Sequence, residues 1–223
     1  LLIEGGRKDI NPWIHITGTF FKALQTRDAN VVRSEPEAGL LGANMPVPQG
    51  TVLGGGSFGT AIANMIASNG YAVTLWLRSE VRAASIRDSR ENSDYLPGYQ
   101  LHSAMEVSTD LEQALAGAQT VFFAVPSSSF RELAKRAFPF LNKDCVLVST
   151  AKGIEAHSFM LPSEILEQEI PHCSVGVISG PNLAREIAQF EITATVIASE
   201  NAELCERIQT LLGSQYFRVY ANH

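Results

Sequence analysis

The chain has 223 residues, a formal net charge of −6 and 45% hydrophobic side chains, which suits one large domain or one domain with an appendage. The acidic balance leaves no electrostatic footprint for nucleic acid, and no apolar run approaches the roughly 18 residues of a membrane helix. Three widely spaced cysteines, Cys145, Cys173 and Cys205, fit reduced structural thiols in a cytoplasmic protein better than disulfides or a metal site.

Residues 1–48 read differently from the rest. Asp9, His15 and Lys22 interrupt the apolar residues there, so Ile10 to Phe21 does not read as a secretory h-region. Asn30 to Pro48 is mostly polar, with weak periodicity. Pro48 cannot donate to a central ladder, so the first strand is expected at or after Gln49. The first methionine is Met45. Residues 1–48 are expected to form an extension outside the fold, 1–44 being translated upstream sequence, and residues 49–223 the folded domain. The alternative is an arm that packs on the sheet through Trp13, Phe20 and Phe21.

The next stretch carries the strongest signal. The apolar run Thr51-Val52-Leu53 leads into Gly-x-Gly-x-x-Gly, built from Gly54, Gly56 and Gly59. A helical pattern follows at once, with Ile62, Met65 and Ile66 on one face. Strand, glycine turn and helix in this order form the dinucleotide fingerprint. Gly54 makes the tight turn, Gly56 lets a pyrophosphate approach the backbone, and Gly59 lets helix and strand pack closely. The free N–H groups of the helix start then face the phosphates.

Asn69-Gly70 closes that helix. Tyr71 to Leu77 reads as a second strand, and Arg78 sits at its end. An acidic residue near this position binds a ribose 2′-hydroxyl in NAD-specific folds. A guanidinium can instead pair with a 2′-phosphate or lie over the adenine, so NADPH is expected to be accepted. Glu80 is the alternative acidic group.

Ser79 to Ser89 reads as a helix and Asn92 to Gly98 as a loop. Asp110 to Ala116 reads as a short helix closed by Gly117. Thr120 to Val125 is a continuous apolar run, hence a strand buried on both faces. Pro126 and Ser127 are expected to cap a helix holding Phe130, Leu133 and Ala137. Phe130 can contact the cofactor or fill the core, and the sequence favours neither. Cys145 to Ser149 is the next strand, with Lys152 and Gly153 at its C-terminal edge. A lysine there can pair with an anionic substrate or polarise a carbonyl. Leu161 to Ile170 is a helix and Ser174 to Ser179 a strand. Pro181 near a following helix start is expected to leave free N–H groups beside Gly180 and Asn182. Ile192 to Ala198, Asn201 to Leu212 and Tyr216 to Tyr220 read as strand, helix and strand. This alternation predicts an α/β fold with a mostly parallel, doubly wound sheet and helices on both faces.

Several stretches together resemble the NAD(P)-dependent glycerol-3-phosphate dehydrogenases of bacterial type. They are residues 54–61, Leu75-Trp76-Leu77-Arg78, Asn92 with Tyr95-Leu96-Pro97-Gly98, Val125-Pro126-Ser127, residues 150–155, residues 179–184 and Phe217-Arg218-Val219-Tyr220. The resemblance covers about residues 51–223. It implies a Rossmann-type domain and reversible hydride transfer between NAD(P)H and dihydroxyacetone phosphate, giving sn-glycerol 3-phosphate for phospholipid synthesis. Gly54, Gly56, Ser57, Phe58, Gly59, Arg78, Tyr95, Phe130, Lys152 and Ala184 are the expected cofactor contacts. Lys152, Gly180 and Asn182 are the expected substrate contacts, and Lys152 is also the catalytic candidate, orienting the substrate. Asn182 stands where the family usually has Ser or Thr; an amide still donates and accepts.

The resemblance places the acid/base lysine and the phosphate-holding residues in an all-helical domain, so the chain is read as the cofactor half of the enzyme, inactive as it stands. No metal, membrane span or nucleic acid is expected, and the full-length protein is a possible homodimer. The competing readings are the cofactor domain of a β-hydroxyacid-type dehydrogenase and a non-catalytic NAD(H)-binding module.

Overall fold

The structure, a computed structural model, describes residues 49–222. The expected extension over residues 1–48 lies outside the described residues. The chain alternates β1 (Gly50–Leu53), α1 (Ser57–Ser68), β2 (Val73–Trp76), α2 (Glu80–Ser89), β3 (Met105–Ser108), α3 (Leu111–Leu115) and β4 (Thr120–Phe123). It continues through α4 (Ser127–Ala137), β5 (Val146–Ser149), α5 (Pro162–Glu169), β6 (Ser174–Ser179), α6 (Ala184–Ala188), β7 (Thr193–Ala198), α7 (Ala202–Leu212) and β8 (Phe217–Asn222). The strands form one sheet in the order β3-β2-β1-β4-β5-β6-β7-β8. The chain grows outward from β1 to β3, then returns to β4 on the other side of β1. That reversal makes β1/β4 the switch point of a doubly wound sheet.

Alternation along the strands sorts the core into two layers. Val52, Leu75, Phe122 and Val148 face one side, where α1, α2 and α7 cover them with Ile62, Ile66, Ile86 and Ile208. Leu53, Trp76, Phe123 and Leu147 face the other, under α3, α4 and α5 with Leu115, Leu133 and Ile165. Both faces are dry, which explains why the central strands read as unbroken apolar runs. Side chains also tie neighbouring segments to strands: Thr51 Oγ1 donates to the Ala114 carbonyl of α3 at 2.6 Å, and Trp76 Nε1 donates to the Thr109 carbonyl just after β3 at 2.9 Å.

Two features differ from the sequence expectation. The edge strand β3 offers only Met105 and Val107 to the core, too short an apolar signal to recognise. The helix after β4 has Pro126 as its N-cap, and no side chain caps it. The sheet is mostly parallel, as expected, and β7 is the exception: it runs antiparallel to β6, while the other strand pairings are parallel.

The glycine turn is sterically tight. An added Cβ on Gly54, whose φ is +135°, would lie 2.2 Å from the Ala124 carbonyl oxygen. One on Gly59 would lie 2.1 Å from the Gly54 carbonyl oxygen. Both neighbours are backbone, so neither can yield cheaply. Gly59→Ala should therefore lose about 1–3 kcal/mol or more of unfolding free energy, read as a lower urea midpoint.

All three cysteines are buried and unpaired. Burial pushes the Cys145 thiol up to about 12 and the Cys173 thiol to about 11. Thiolate is the reactive form, so labelling by a disulfide reagent at pH 8 should be slow in buffer and rapid in urea.

Candidate functional site

The C-terminal ends of β1, β4, β5 and β6 open onto one cleft of about 370 Å³. Gly56, Ser57, Phe58 and Gly59 form one wall. Ala124, Val125 and Pro126 follow β4, Thr150, Ala151 and Lys152 follow β5, and Ser179, Gly180 and Asn182 follow β6. Tyr95 closes the side over the glycine turn. Eight of the expected site residues thus line the cleft: Gly56, Ser57, Phe58, Gly59, Tyr95, Lys152, Gly180 and Asn182.

Gly56 is the N-cap of α1 in extended backbone, with no side-chain cap and no acidic residue in the first turn. The first N–H groups of a helix have no partner within it, and here no carboxylate of the first turn competes for them. A Cβ on Gly56 would meet nothing within 4 Å. Gly54 and Gly59 thus leave no room, while Gly56 leaves a vacant cradle above the helix start. That contrast fits a pyrophosphate.

The loop after α2 holds this turn in place. The buried Asn92 amide donates to the Gly55 carbonyl at 3.0 Å and to Thr60 Oγ1 at 2.8 Å. Ser57 Oγ donates to the Tyr95 carbonyl at 2.6 Å. The Arg82 guanidinium lies 4.7 Å from the centre of the Tyr95 ring and bonds Asp94 at 2.9 Å. The sequence alone assigns Asn92 no role, because its two acceptors lie too far along the chain for spacing to reveal.

Arg78 is exposed just past the end of β2. Glu80 does not offer a free carboxylate beside it. Thr109 Oγ1 donates to one of its oxygens at 2.6 Å and Arg87 pairs with the other. The Thr109 bond, then Arg87, holds the Glu80 carboxyl below its ordinary range.

Phe130 is the correction among the expected contacts. It is fully buried, 5.5 Å from the Phe123 ring centre. It fills the layer under α4, so the core reading holds. Ala184 packs half-buried against the core beside α1 and does not line the cleft. The expected helix start at Pro181 is also displaced. The helix begins at Ala184 after the N-cap Leu183 and spans five residues. The Asn182 N–H is bonded to the Gly180 carbonyl at 2.8 Å instead.

Asn182 has a defined orientation. Its amide donates to Thr195 Oγ1 at 2.8 Å, and that hydroxyl donates to the Ser179 carbonyl at 3.1 Å. The Asn182 carbonyl oxygen is buried with no hydrogen-bond partner among the described residues. The sequence does not single out Thr195, because a strand pattern does not say which way β7 runs.

An ion-pair cluster stands behind the Lys152 loop. Arg131 on α4 grips Glu155 at 2.7 Å and also pairs with Glu169 on α5. The Arg131 bond, then Ser158, lowers the Glu155 carboxyl from its ordinary 4.5 to about 2. A depressed carboxylate stabilises the fold fully above its unfolded pKa, and that support is lost as pH falls through the folded value. Glu155→Gln should therefore lower the melting temperature at pH 7. The gap to the parent should close between about pH 4.5 and pH 2, as followed by circular dichroism.

A glycine cradle at the switch point of a doubly wound sheet defines a Rossmann-type dinucleotide-binding domain. Comparison with known proteins narrows the class. The family described as NAD-dependent glycerol-3-phosphate dehydrogenase N-terminus matches residues 50–205, and the chain belongs to that family. A glycerol-3-phosphate dehydrogenase [NAD(P)+] of Pseudomonas aeruginosa strain LESB58 is 56% identical over 171 residues, 77% of this chain and 50% of that protein. The protein of the same name from Saccharophagus degradans is 51% identical over 172 residues, 77% of this chain and 48% of its own. The crystal structure of glycerol-3-phosphate dehydrogenase from Coxiella burnetii superposes with a TM-score of 0.75 at 32% identity, covering 78% of this chain and 54% of that one. The chain spans about half the length of the curated relatives it matches.

Proposed function

We propose that this chain is the cofactor-binding part of an NAD(P)-dependent sn-glycerol-3-phosphate dehydrogenase, interconverting dihydroxyacetone phosphate and sn-glycerol 3-phosphate for glycerophospholipid synthesis. One observation carries the reading: the vacant cradle at Gly56 and the ammonium-bearing Lys152 line the same cleft. The nicotinamide, when bound, supplies or accepts the hydride. The residues of the chain do the rest.

The amides at the start of α1 hold the pyrophosphate. Arg78 sits on the β2 side, where the adenosine half of a dinucleotide lies in this fold, and Lys152 sits on the β5 side with the nicotinamide. The Lys152 ammonium orients the phosphorylated ketone by charge and hydrogen bonding. The Asn182 carbonyl oxygen accepts from a substrate hydroxyl, which removes an unpaired buried acceptor. The apolar surface of Val125, Pro126 and Ile178 keeps water from the reacting carbon. The proton taken up by the ketone oxygen comes, in this proposal, from a residue in the remaining half of the relatives' length. No helix among the described residues is long and apolar enough to cross a membrane, and we place the enzyme in the cytoplasm, as a homodimer when full length. Residues 1–48 are proposed to lie outside the catalytic fold.

Two outcomes check this reading. Gly56→Ala should leave the urea midpoint nearly unchanged, since the added methyl meets nothing, yet weaken NADH binding at least tenfold in a fluorescence titration. Arg78→Asp should weaken NADPH more than NADH, by about 1.5–3 kcal/mol for a lost charge-assisted pair. Equal losses would remove Arg78 from the 2′ position.

A further inference from the structure

The segment that carries Lys152 has no helix or strand between Ser149 and Pro162. It is also held in unfavourable backbone. His157 and Phe159 adopt left-handed conformations, with φ of 73° and 58°, and Gly153 has φ of 97°. Side chains at these φ values persist only where the surroundings over-determine them. Phe159 is 73% exposed, so packing of its ring does not do this.

Glu155 does. Its N–H donates to the Met160 carbonyl at 2.9 Å, and the Phe159 N–H donates back to the Glu155 carbonyl at 3.0 Å. Those two bonds close the loop into a ring. The Glu155 carboxylate then ties the ring to the domain. It accepts from Arg131 Nε at 2.8 and 3.0 Å, from Arg131 Nη2 at 2.7 Å and from Ser158 Oγ. The far side of the guanidinium bonds Gln168 at 3.0 Å and Glu169. Arg131 thus joins α4, the loop and the last turn of α5 at one point. Its fork fixes orientation as well as distance, which a point charge does not. The cluster is mostly buried, with side-chain exposures of 21% for Arg131 and 18% for Glu155. Yet neither residue lines the cleft.

Buried ion pairs are weak evidence of stability, since apolar replacements often serve as well. What this pair supplies is geometry, three residues from Lys152. We propose that Arg131 and Glu155 are positioning residues that clamp the loop and so fix the Lys152 ammonium on the cleft wall. The proposal rests on the role given to Lys152 above.

The test compares NADH with ADP-ribose, which shares the pyrophosphate but lacks the nicotinamide. Both are titrated against the 223-residue chain and its variants. Lys152→Ala should weaken NADH at least fivefold and change ADP-ribose less than twofold. Glu155→Gln and the milder Arg131→Lys should do the same to a smaller degree, about threefold or more. Glu155→Asp, which keeps the charge, should lose less than Glu155→Gln. A purely structural role would instead lower both ligands together, and that result overturns the clamp. If Lys152→Ala separates the ligands and neither clamp variant does, the clamp alone fails. If Lys152→Ala separates nothing, the reading of Lys152 fails and the clamp with it.

Discussion

The structure depends on how closely α1 sits on the turn that leaves β1. The backbone oxygen of Gly54 occupies the space where a Cβ of residue 59 would be, and the Ala124 oxygen occupies that of residue 54. Strand β1, strand β4 and the first turn of α1 therefore share one small volume. Only hydrogen atoms fit between them. This contact fixes the helix axis against the sheet, and with it the direction in which the free amides point. One position further along, at Gly56, the same turn opens to empty space. Tight packing on one side and vacancy on the other come from the same three glycines.

The reversal at β7 has a consequence for the site. In the antiparallel pairing Ser179 faces Val196, so the first residues of β7 lie beyond the C-terminal end of β6. Thr195 comes to stand under the Gly180–Asn182 turn and links it to the Ser179 carbonyl. A parallel β7 would have brought its C-terminal end there instead. The orientation of the Asn182 amide is thus set by the direction in which β7 runs.

Much of this was legible in the letters, and the reasons are local. Gly54, Gly56 and Gly59 announce their turn because their spacing reflects contacts within one strand–turn–helix unit. The strand Ser174–Ser179 is found to the residue because its run is apolar and ends at a glycine. Strand β3 is lost because an edge strand of four residues shows only two apolar positions. The direction of β7 is lost because strand patterns carry no sign. Phe130 stays ambiguous in sequence because a helix at the mouth of a cleft has both a core face and a ligand face. Only packing against Phe123 decides between them. The Arg131–Glu155 pair is invisible for a different reason. Its partners are 24 residues apart, and nothing in a charged pair at that distance marks it from two solvated side chains.

The two halves of the cleft are held by different physics. The glycine wall is fixed by hard contacts between backbone atoms, which neither salt nor pH alters. The Lys152 wall is fixed by charge. Such a device would be fragile if its carboxylate titrated near neutrality, but three donations from Arg131 and one from Ser158 keep Glu155 ionised down to about pH 2. Partial burial also shields the pair from screening, which acts mainly on exposed charges. The clamp therefore keeps its charge throughout the neutral range. Under the proposed function, a pH dependence of the reaction would arise from groups that face the cleft or from the proton donor, rather than from the loop that carries Lys152.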